Sequence, residues 1–198
     1  MRIDLLRHGT TGRDGHLDGR TDPPLSEAGW HQFAKQTQDG SWPLVVTSPL
    51  ARARLAAEDY ARCSGSALRI DADWSELDFG QWDGRKRADI AAEPAGAALL
   101  ESFYADPSQF SAPGGERWIG LQQRASIALD RLLATPALAP VLVVTHGGAI
   151  RAALAQLLGW PLQSLWSLRI DPATRVRLEA GRSADGTRWG EIVEIIQP

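Results

Sequence analysis

The chain has 198 residues, of which 43% are hydrophobic and 23% are charged, and its formal net charge is −3. This length and composition predict one globular domain with a sizeable core, because domains typically hold about 100–200 residues. The small net charge gives no field suited to wrapping nucleic acid or adhering to an anionic membrane, so neither is expected as a partner.

The chain also lacks the sequence signals of export and of membrane insertion. No stretch approaches the roughly 20 apolar residues that a membrane span requires, and Arg7 and His8 interrupt the first apolar run too early for a signal peptide. Cys63 is the single cysteine, which excludes an internal disulfide and a cysteine-based zinc cluster. We therefore expect a soluble, cytoplasmic protein.

Short apolar runs alternate with longer helical patterns along much of the chain. Such alternation predicts a layered α/β fold with a largely parallel, buried central sheet. The strand and helix pairs are Arg2–Leu6 with Pro24–Gln38, Leu44–Thr47 with Pro49–Ser64, and Val141–Thr145 with Gly148–Gly159.

Local signals mark several helix ends. Ser48 and Pro49 predict an N-cap followed by proline at the first helical position, and Gly65 predicts the end of the same helix. In Glu116–Ala134, apolar residues recur at three- and four-residue steps, which predicts an amphipathic helix packed on the core.

Two regions depart from the alternation. Between residues 80 and 115 prolines break the helical pieces, and we interpret this region as an insertion of helices and loops over the site. The tail carries strand-like runs at 165–171, 174–179 and 190–196.

Polar residues follow three of the predicted strands. Because ligands of open α/β sheets bind beyond the carboxyl ends of the strands, we expect these residues to converge on one site. The glycines Gly147 and Gly148, which open a helix, would direct free N–H groups at an anion. The three strand ends are Arg7-His8-Gly9, Thr47-Ser48-Pro49 and Thr145-His146-Gly147.

The cationic side chains at this rim suit a phosphoryl group. Arg7 and Arg52 can each give two parallel hydrogen bonds to phosphate oxygens from a planar fork, and they stay charged. A histidine, His8 or His146, could attack phosphorus and form a phosphohistidine. The pattern predicts a site that binds a small phosphate ester.

Breaking a phosphate ester also requires a proton donor for the departing alcohol. Glu76 and Asp78 lie among Trp74, Leu77, Phe79 and Trp82, where burial could suit a carboxyl group to general acid catalysis. The residue pattern leaves the choice between the two carboxyl groups open.

A zinc site is the alternative interpretation of the same residues. The two histidines with Glu76 or Asp78 could bind zinc, but the nearby arginines would repel a dication, so we expect no metal. His16 and His31 lack comparable neighbours and are expected at the surface. The run Arg85–Arg87 is interpreted as a solvated helix face, with a phosphate clamp as the alternative.

Five separated motifs carry a resemblance over roughly residues 1–160. In their order and spacing they resemble the motifs of the histidine phosphatase superfamily, which is also called the phosphoglycerate mutase-like family. The resemblance implies a three-layer α/β/α domain, a phosphohistidine mechanism, and no metal or other cofactor. The motifs are LLRHGTT, SPLARAR, ELDFGQWDG, PGGE and VVTHGGAIRA.

The resemblance also implies roles for individual residues. His8 resembles the nucleophile, Arg7 and Arg52 resemble the phosphate-pocket arginines, and His146 resembles the second histidine. Glu76 takes the place of the family's proton donor, in preference to Asp78. Thr10 and the Gly147 amide are added as substrate-binding groups. Departures from the family pattern occur at Thr10, Asp14 and Arg117 and concern contacts with the substrate rather than the chemical core.

Three further features are most similar to the α-ribazole phosphatases, which remove the 5′-phosphate of α-ribazole phosphate or of a cobamide phosphate in cobalamin synthesis. They are the short length, the segment Gly19–Trp30 and the run Asp106–Glu116. Nearby aromatic residues are expected to form a stacking wall for the base or to belong to the core. These residues are Trp82, Phe103, Tyr104, Phe110 and Trp118.

Alternative functions stay open. A broad-specificity small-molecule phosphatase would use the same residues. A phosphoglycerate mutase is disfavoured by the short chain, and a phosphate-binding protein without catalysis is disfavoured because it needs neither a nucleophile nor an acid. Assembly into a homodimer is a further open alternative.

Overall fold

The computed structural model describes residues 1–135 and 138–198. Within this part of the chain, a single sheet runs in the order β3-β2-β4-β1-β5-β6. The first four strands in this order are parallel, and β5 is antiparallel to both of its neighbours. The strands are β1 (Arg2–Arg7), β2 (Leu44–Thr47), β3 (Ala67–Ile70), β4 (Val141–Thr145), β5 (Arg175–Arg182) and β6 (Arg188–Ile196).

Helices cover both faces of the sheet, so the predicted three-layer α/β/α architecture is confirmed. The helices are α1 (Glu27–Thr37), α2 (Ala51–Ser64), α3 (Arg87–Ala91), α4 (Gly96–Ala105), α5 (Trp118–Leu133) and α6 (Gly147–Leu158). Leu6, Val45 and Val144 pack with α1 and α2, whereas their neighbours Leu5 and Val143 pack with α5 and α6 on the opposite face. Alternate residues of the central strands are thus buried on opposite sides, as a parallel sheet requires. Among these helices, none has the length and apolarity needed to cross a membrane.

Helix ends follow the sequence signals only in part. Gly65 and Gly159 end α2 and α6 in the left-handed conformation, with φ of 72° and 65°. The prediction that Ser48 caps α2 is wrong. The N-cap is Leu50, whose side chain makes no capping bond, and Ser48 Oγ instead accepts from the Leu50 N–H at 3.2 Å.

The chain tail contains two of the three predicted strands. The runs at 174–179 and 190–196 lie in β5 and β6, which form an antiparallel pair. The predicted strand at 165–171 is wrong, because Leu162–Ser167 forms a 3₁₀-helix. Carbonyl groups of this segment accept from arginine side chains rather than from a neighbouring strand: Leu165 and Leu168 accept from Arg151.

The region between residues 80 and 115 contains α3 and α4, joined by irregular segments. Phe103 and Tyr104 of α4 reach a cavity at the carboxyl edge of the sheet, together with Arg87 at the start of α3. The loose pattern of this region therefore corresponds to short helices that supply one wall of that cavity.

Candidate active site

Two neighbouring parallel strands bring the two motif histidines together. Arg7 at the end of β1 is paired with Thr145 at the end of β4, and the His8 N–H donates to the Thr145 carbonyl at 2.9 Å. The ring centroids of His8 and His146 lie 5.1 Å apart with the planes inclined at 63°. Residues that are nearly the whole chain apart in sequence are thus adjacent because their strands are adjacent.

His8 has a defined tautomer. Its Nδ1 lies 2.7 Å from the Gly9 carbonyl oxygen, and because a carbonyl only accepts, the proton resides on Nδ1 and the lone pair on Nε2. Burial, and then the positive charges of Arg7 and Arg52, lower the pKa of His8 well below its ordinary value of 6.5. His8 is therefore neutral near pH 7, with Nε2 available as a nucleophile.

His146 is fully buried and contacts Ser48. Its Nε2 lies 2.7 Å from Ser48 Oγ, which already accepts from the Leu50 N–H. Because a hydroxyl oxygen can accept two hydrogen bonds, this contact has two possible directions, and with Ser48 as the donor the imidazole proton lies on Nδ1. No partner for Nδ1 is found in the described part of the chain. Burial, and then the charge of Arg52, lower the pKa of His146 well below 6.5.

Arg7 has one terminal nitrogen bound to the protein and a buried donor, Nε, that has no protein partner. Its Nη1 donates to the Ile170 carbonyl at 2.8 Å, whereas its Nε is buried and finds no acceptor within residues 1–135 and 138–198. A Cβ at Gly147 would lie 3.7 Å from this Nε, so the donor lies beside the N-terminus of α6, whose first N–H groups have no partner within the helix. Such buried, unpaired donors fit an anion.

Arg52 does not present the free fork that the sequence analysis expected. Its Nη1 donates to the Thr21 carbonyl at 2.8 Å and its Nη2 to the Asp18 and Gly19 carbonyls at 2.9 and 3.0 Å. The side chain is 1% exposed and lines the cavity. Arg52 therefore offers positive charge and few free donors, because the loop before α1 occupies its terminal nitrogens.

Asp22 is a residue that the sequence reasoning missed. Its carboxylate accepts from the main-chain N–H groups of Ala51 and Arg52, which open α2, and it forms an ion pair with Arg52 Nη1 at 3.2 Å. It thus performs the capping role that was assigned to Ser48. An aspartate followed by two prolines was the only local signal, and nothing in the sequence pairs it with a helix 29 residues later.

Glu76 lies at the N-terminus of α6. Its Oε2 accepts from the Gly148 N–H at 3.1 Å and its Oε1 from the Leu77 N–H at 2.9 Å. A Cβ at Gly148 would lie only 2.2 Å from Glu76 Oε1. Glycine is therefore required here so that the carboxylate can approach the helix end.

Asp78 points elsewhere. Its Oδ1 accepts from the Gly80 N–H at 2.9 Å, and its Oδ2 pairs with Arg20 at 3.2 Å. Glu76 lines the cavity with His8, and Asp78 is not among the described lining residues. The structure thus separates two carboxyl groups that the residue pattern left equivalent.

Comparison with known proteins agrees with this geometry. The model of the histidine phosphatase superfamily (branch 1) matches residues 3–189. The chain belongs to this superfamily. The first curated relatives, from mycobacteria, are longer proteins, and this chain spans about half (48%) of their length.

Other relatives of this superfamily member match over most of their length. An adenosylcobalamin/alpha-ribazole phosphatase of Escherichia coli is 29% identical, with 86% of each chain covered. A glucosyl-3-phosphoglycerate phosphatase of Mycolicibacterium vanbaalenii is 30% identical, with 93% of this chain and 87% of the relative covered. The solved structure of a mycobacterial glucosyl-3-phosphoglycerate phosphatase in complex with VO3 has a TM-score of 0.85 and 27% identity, and covers 98% of this chain and 97% of that chain.

The cavity of this histidine phosphatase family member has a volume of about 470 Å³ and one aromatic side. Of the aromatic residues singled out in the sequence, Phe103, Tyr104 and Trp118 line it. Trp82 instead packs edge-to-face on Phe103 at 5.6 Å in the core, and Phe110 is 46% exposed. Two further aromatic residues of the lining, Phe79 and Trp166, were not predicted from the sequence.

The rest of the cavity lining is mostly polar. Two of its residues are His16, which was expected at the surface, and Arg87, which was expected on a solvated helix face. Their segments lie side by side because a main-chain bridge joins His16 to Lys86. Burial is the main cause that lowers the pKa of Arg7, and the charges of Arg52 and Arg87 lower it further. His31 is exposed, as expected.

The positions that depart from the family pattern differ in their placement. Thr10 and Asp14 line the cavity. Thr10 donates its N–H to Gln32 Oε1 at 2.9 Å, and its hydroxyl accepts from the Gly12 N–H at 3.1 Å. Arg117 donates to the Ser108 carbonyl at 3.2 Å and is not among the described lining residues. No group of three or more His, Cys, Asp or Glu side chains within 1–135 and 138–198 is arranged to hold a metal ion.

Proposed function

We propose that this chain is a phosphomonoesterase that works through a phosphohistidine on His8 and needs no metal. The observation that carries the proposal is the setting of His8: a neutral imidazole with its proton on Nδ1, beside Arg7 and Arg52. Such an imidazole can attack phosphorus through Nε2 while the two charges attract the phosphate.

The reaction has two steps. In the first, His8 Nε2 forms a bond to phosphorus, the bond between phosphorus and the ester oxygen breaks, and the Glu76 carboxyl group gives its proton to that oxygen. In the second, the Glu76 carboxylate takes a proton from water, the resulting hydroxide attacks phosphorus, and the bond to His8 breaks. Inorganic phosphate leaves and the enzyme returns to its first state.

Four groups would stabilise the phosphoryl oxygens in both steps. All four lie at the carboxyl edge of the sheet: the unpaired Nε of Arg7, the charge of Arg52, the Gly147 N–H at the helix N-terminus, and His146 Nδ1 in the tautomer that carries its proton there. Fixed donors that are directed at developing negative charge are usually the largest single contribution to catalysis.

For the natural substrate we propose the 5′-phosphate of α-ribazole or of a cobamide. The aromatic side of the cavity, formed by Phe103, Tyr104, Trp118 and Trp166, offers a surface on which a flat base can stack. Likeness to the E. coli adenosylcobalamin/alpha-ribazole phosphatase supports this choice.

A second candidate, glucosyl-3-phosphoglycerate, is favoured by the polar side of the cavity. Arg87 and His16 lie there, and an arginine suits a carboxylate on the leaving group. Relatives named for that substrate match this chain at 30% identity.

We also propose that residues 1–198, of which 136 and 137 lie outside the described part, form one cytoplasmic domain in which the region 80–115 covers the site. The aromatic contribution of α4 to the cavity supports this arrangement. Neither nucleic acid nor membrane is expected as a partner. Light scattering of the purified protein would distinguish a monomer from a homodimer.

The decisive experiment measures phosphate release from four substrates, and isomerisation of 3-phosphoglycerate, both with and without a chelator. The substrates are α-ribazole 5′-phosphate, glucosyl-3-phosphoglycerate, 3-phosphoglycerate and p-nitrophenyl phosphate. A clear preference in kcat/KM for the first supports the proposed substrate, and a preference for the second supports the alternative. Similar kcat/KM values for all four substrates indicate a broad-specificity phosphatase. Isomerisation of 3-phosphoglycerate indicates a mutase. Loss of turnover when the chelator is added overturns the metal-free mechanism.

A further inference from the structure

The segment that carries Glu76 is held by one arginine of α5. Arg124 Nη1 donates to the main-chain oxygens of Asp73, at 3.0 Å, and of Ser75, and its Nη2 donates to the main-chain oxygen of Glu76 at 2.9 Å. Its Nε and Nη2 also donate to the two carboxylate oxygens of Glu116, each at 2.8 Å. All three nitrogens of this guanidinium are engaged, and three of the five contacts reach main-chain carbonyls at or just before Glu76.

Glu116 holds the segment on the other side of Glu76. Its main-chain N–H donates to the Asp78 carbonyl at 2.8 Å, and its carboxylate accepts from the Asp78 N–H at 3.3 Å. The side chains of Arg124 and Glu116 are 16% and 19% exposed, so their two-bond ion pair is largely shielded from water and geometrically specific.

We infer that the Arg124–Glu116 pair is a positioning device that fixes the Glu76 carboxyl group at the N-terminus of α6 for proton transfer. The inference rests on the proposed function of Glu76 as acid and base. Neither member of the pair is among the described residues that line the cavity, so both act through the backbone around Glu76. A proton donor must lie within hydrogen-bond reach of its acceptor, and a misplacement of about 1 Å can cost roughly 100-fold in rate.

The test compares Arg124→Gln with Arg131→Gln. Arg131 is a control on the same helix, because its hydrogen bonds go to the carboxylates of Asp71 and Asp73 rather than to the main-chain oxygens at or just before Glu76. An alkyl phosphate needs the proton from Glu76, whereas p-nitrophenolate leaves without one. We expect Arg124→Gln to lower kcat/KM for the alkyl ester about tenfold more than for p-nitrophenyl phosphate, and Arg131→Gln to affect both esters equally.

The same substitutions in a Glu76→Gln background separate positioning from general support of the fold. If Arg124 acts through Glu76, then Arg124→Gln causes no further loss for the alkyl ester once Glu76 is replaced. A full additional loss in that background, or an equal loss for both esters in the wild-type background, would overturn the inference. Glu116→Gln, which preserves the shape of the side chain, gives a second variant with the same expected selectivity if Arg124→Gln does not fold.

The Glu76→Gln control distinguishes failure of the inference from failure of the proposed function. A selective loss for the alkyl ester in Glu76→Gln without any selectivity in Arg124→Gln overturns the positioning role alone. If Glu76→Gln and the wild type have equal kcat/KM on both esters, Glu76 is not the acid, and the Arg124–Glu116 pair then has no proton donor to position.

Discussion

Gly148 and Glu76 are in direct contact across the site: the Gly148 N–H donates to Glu76 Oε2, and a Cβ on Gly148 would lie 2.2 Å from Glu76 Oε1. The helix end and the carboxyl group therefore fit only because residue 148 has no side chain. This contact places the proposed proton donor beside the N-terminus that is proposed to bind phosphate.

Replacing Gly148 by alanine should displace Glu76 without weakening the fold. Alanine favours a helix over glycine by about 0.5–1 kcal/mol, and the contact at 2.2 Å is with a side-chain oxygen rather than with backbone. We expect kcat/KM for an alkyl phosphate to fall roughly tenfold or more, with the urea midpoint unchanged or higher. A variant with unchanged kcat/KM would show that the position of Glu76 is not critical.

His8→Ala should retain the fold and lose at least roughly 1000-fold in turnover, because no other group replaces the nucleophile. Circular dichroism checks the fold, and rapid acid or base quenching with radiolabelled substrate checks for an acid-labile, base-stable phosphoenzyme. His31→Gln, which changes an exposed histidine, is the matched control. Near-normal turnover in folded His8→Ala contradicts the mechanism.

Ser48→Ala should allow the His146 ring to adopt both neutral tautomers, provided that the Ser48 hydroxyl donates to Nε2 in the wild type. Without the hydroxyl at 2.7 Å from Nε2, a buried acceptor loses its donor, which typically costs about 1–3 kcal/mol of stability. We expect the ¹⁵N NMR shifts of His146 to change from those of the Nδ1-protonated form towards a mixture, and Ser48→Thr to restore them. Wild-type shifts in Ser48→Ala would show that the tautomer has another cause.

Acidification should destabilise the protein below pH 6.5. The pKa values of His8 and His146 are lowered well below 6.5 in the folded state, so the unfolded chain binds more protons as the pH falls through 6.5. The free energy of unfolding therefore decreases as the pH falls below 6.5. Above that pH both histidines are neutral in the folded and the unfolded chain, so they no longer make the free energy of unfolding depend on pH. Urea unfolding at about pH 7.5 and about pH 5.5 measures the decrease, which should be smaller in His8→Gln. An equal decrease in both proteins would argue against the linkage.

Arg87→Gln should discriminate between the two candidate substrates. Arg87 is exposed at the polar side of the cavity, so its contribution to binding a carboxylate is expected to be about 1 kcal/mol, or roughly fivefold in kcat/KM. The loss should appear for glucosyl-3-phosphoglycerate and be smaller for p-nitrophenyl phosphate. Lys86→Gln removes a neighbouring exposed cation outside the described lining. Equal losses in the two variants would indicate a general field effect only.

Much of the site was predictable because it depends on local signals in the chain. The apolar runs before His8 and His146 predict buried parallel strands, and parallel strands bring their carboxyl ends to one edge. Gly147 and Gly148 predict a helix N-terminus that can accept an anion. These inferences need only the order of residues along each strand and the regular geometry of a sheet, and the structure brings His8 and His146 together as that geometry requires.

Tertiary structure alone decided which polar groups are free and which are occupied. The terminal nitrogens of Arg52 are held by the loop that contains Asp18 and Thr21. In place of the expected strand at 165–171, carbonyl groups of this segment accept from Arg151 and Arg7. The carboxyl groups of Glu76 and Asp78 have different partners, because Glu76 meets the N-terminus of α6 whereas Asp78 meets Gly80 and Arg20. Hydrogen-bond partners so distant in sequence leave no periodic signal, because each polar group selects its partner from whatever the folded backbone places within about 3 Å.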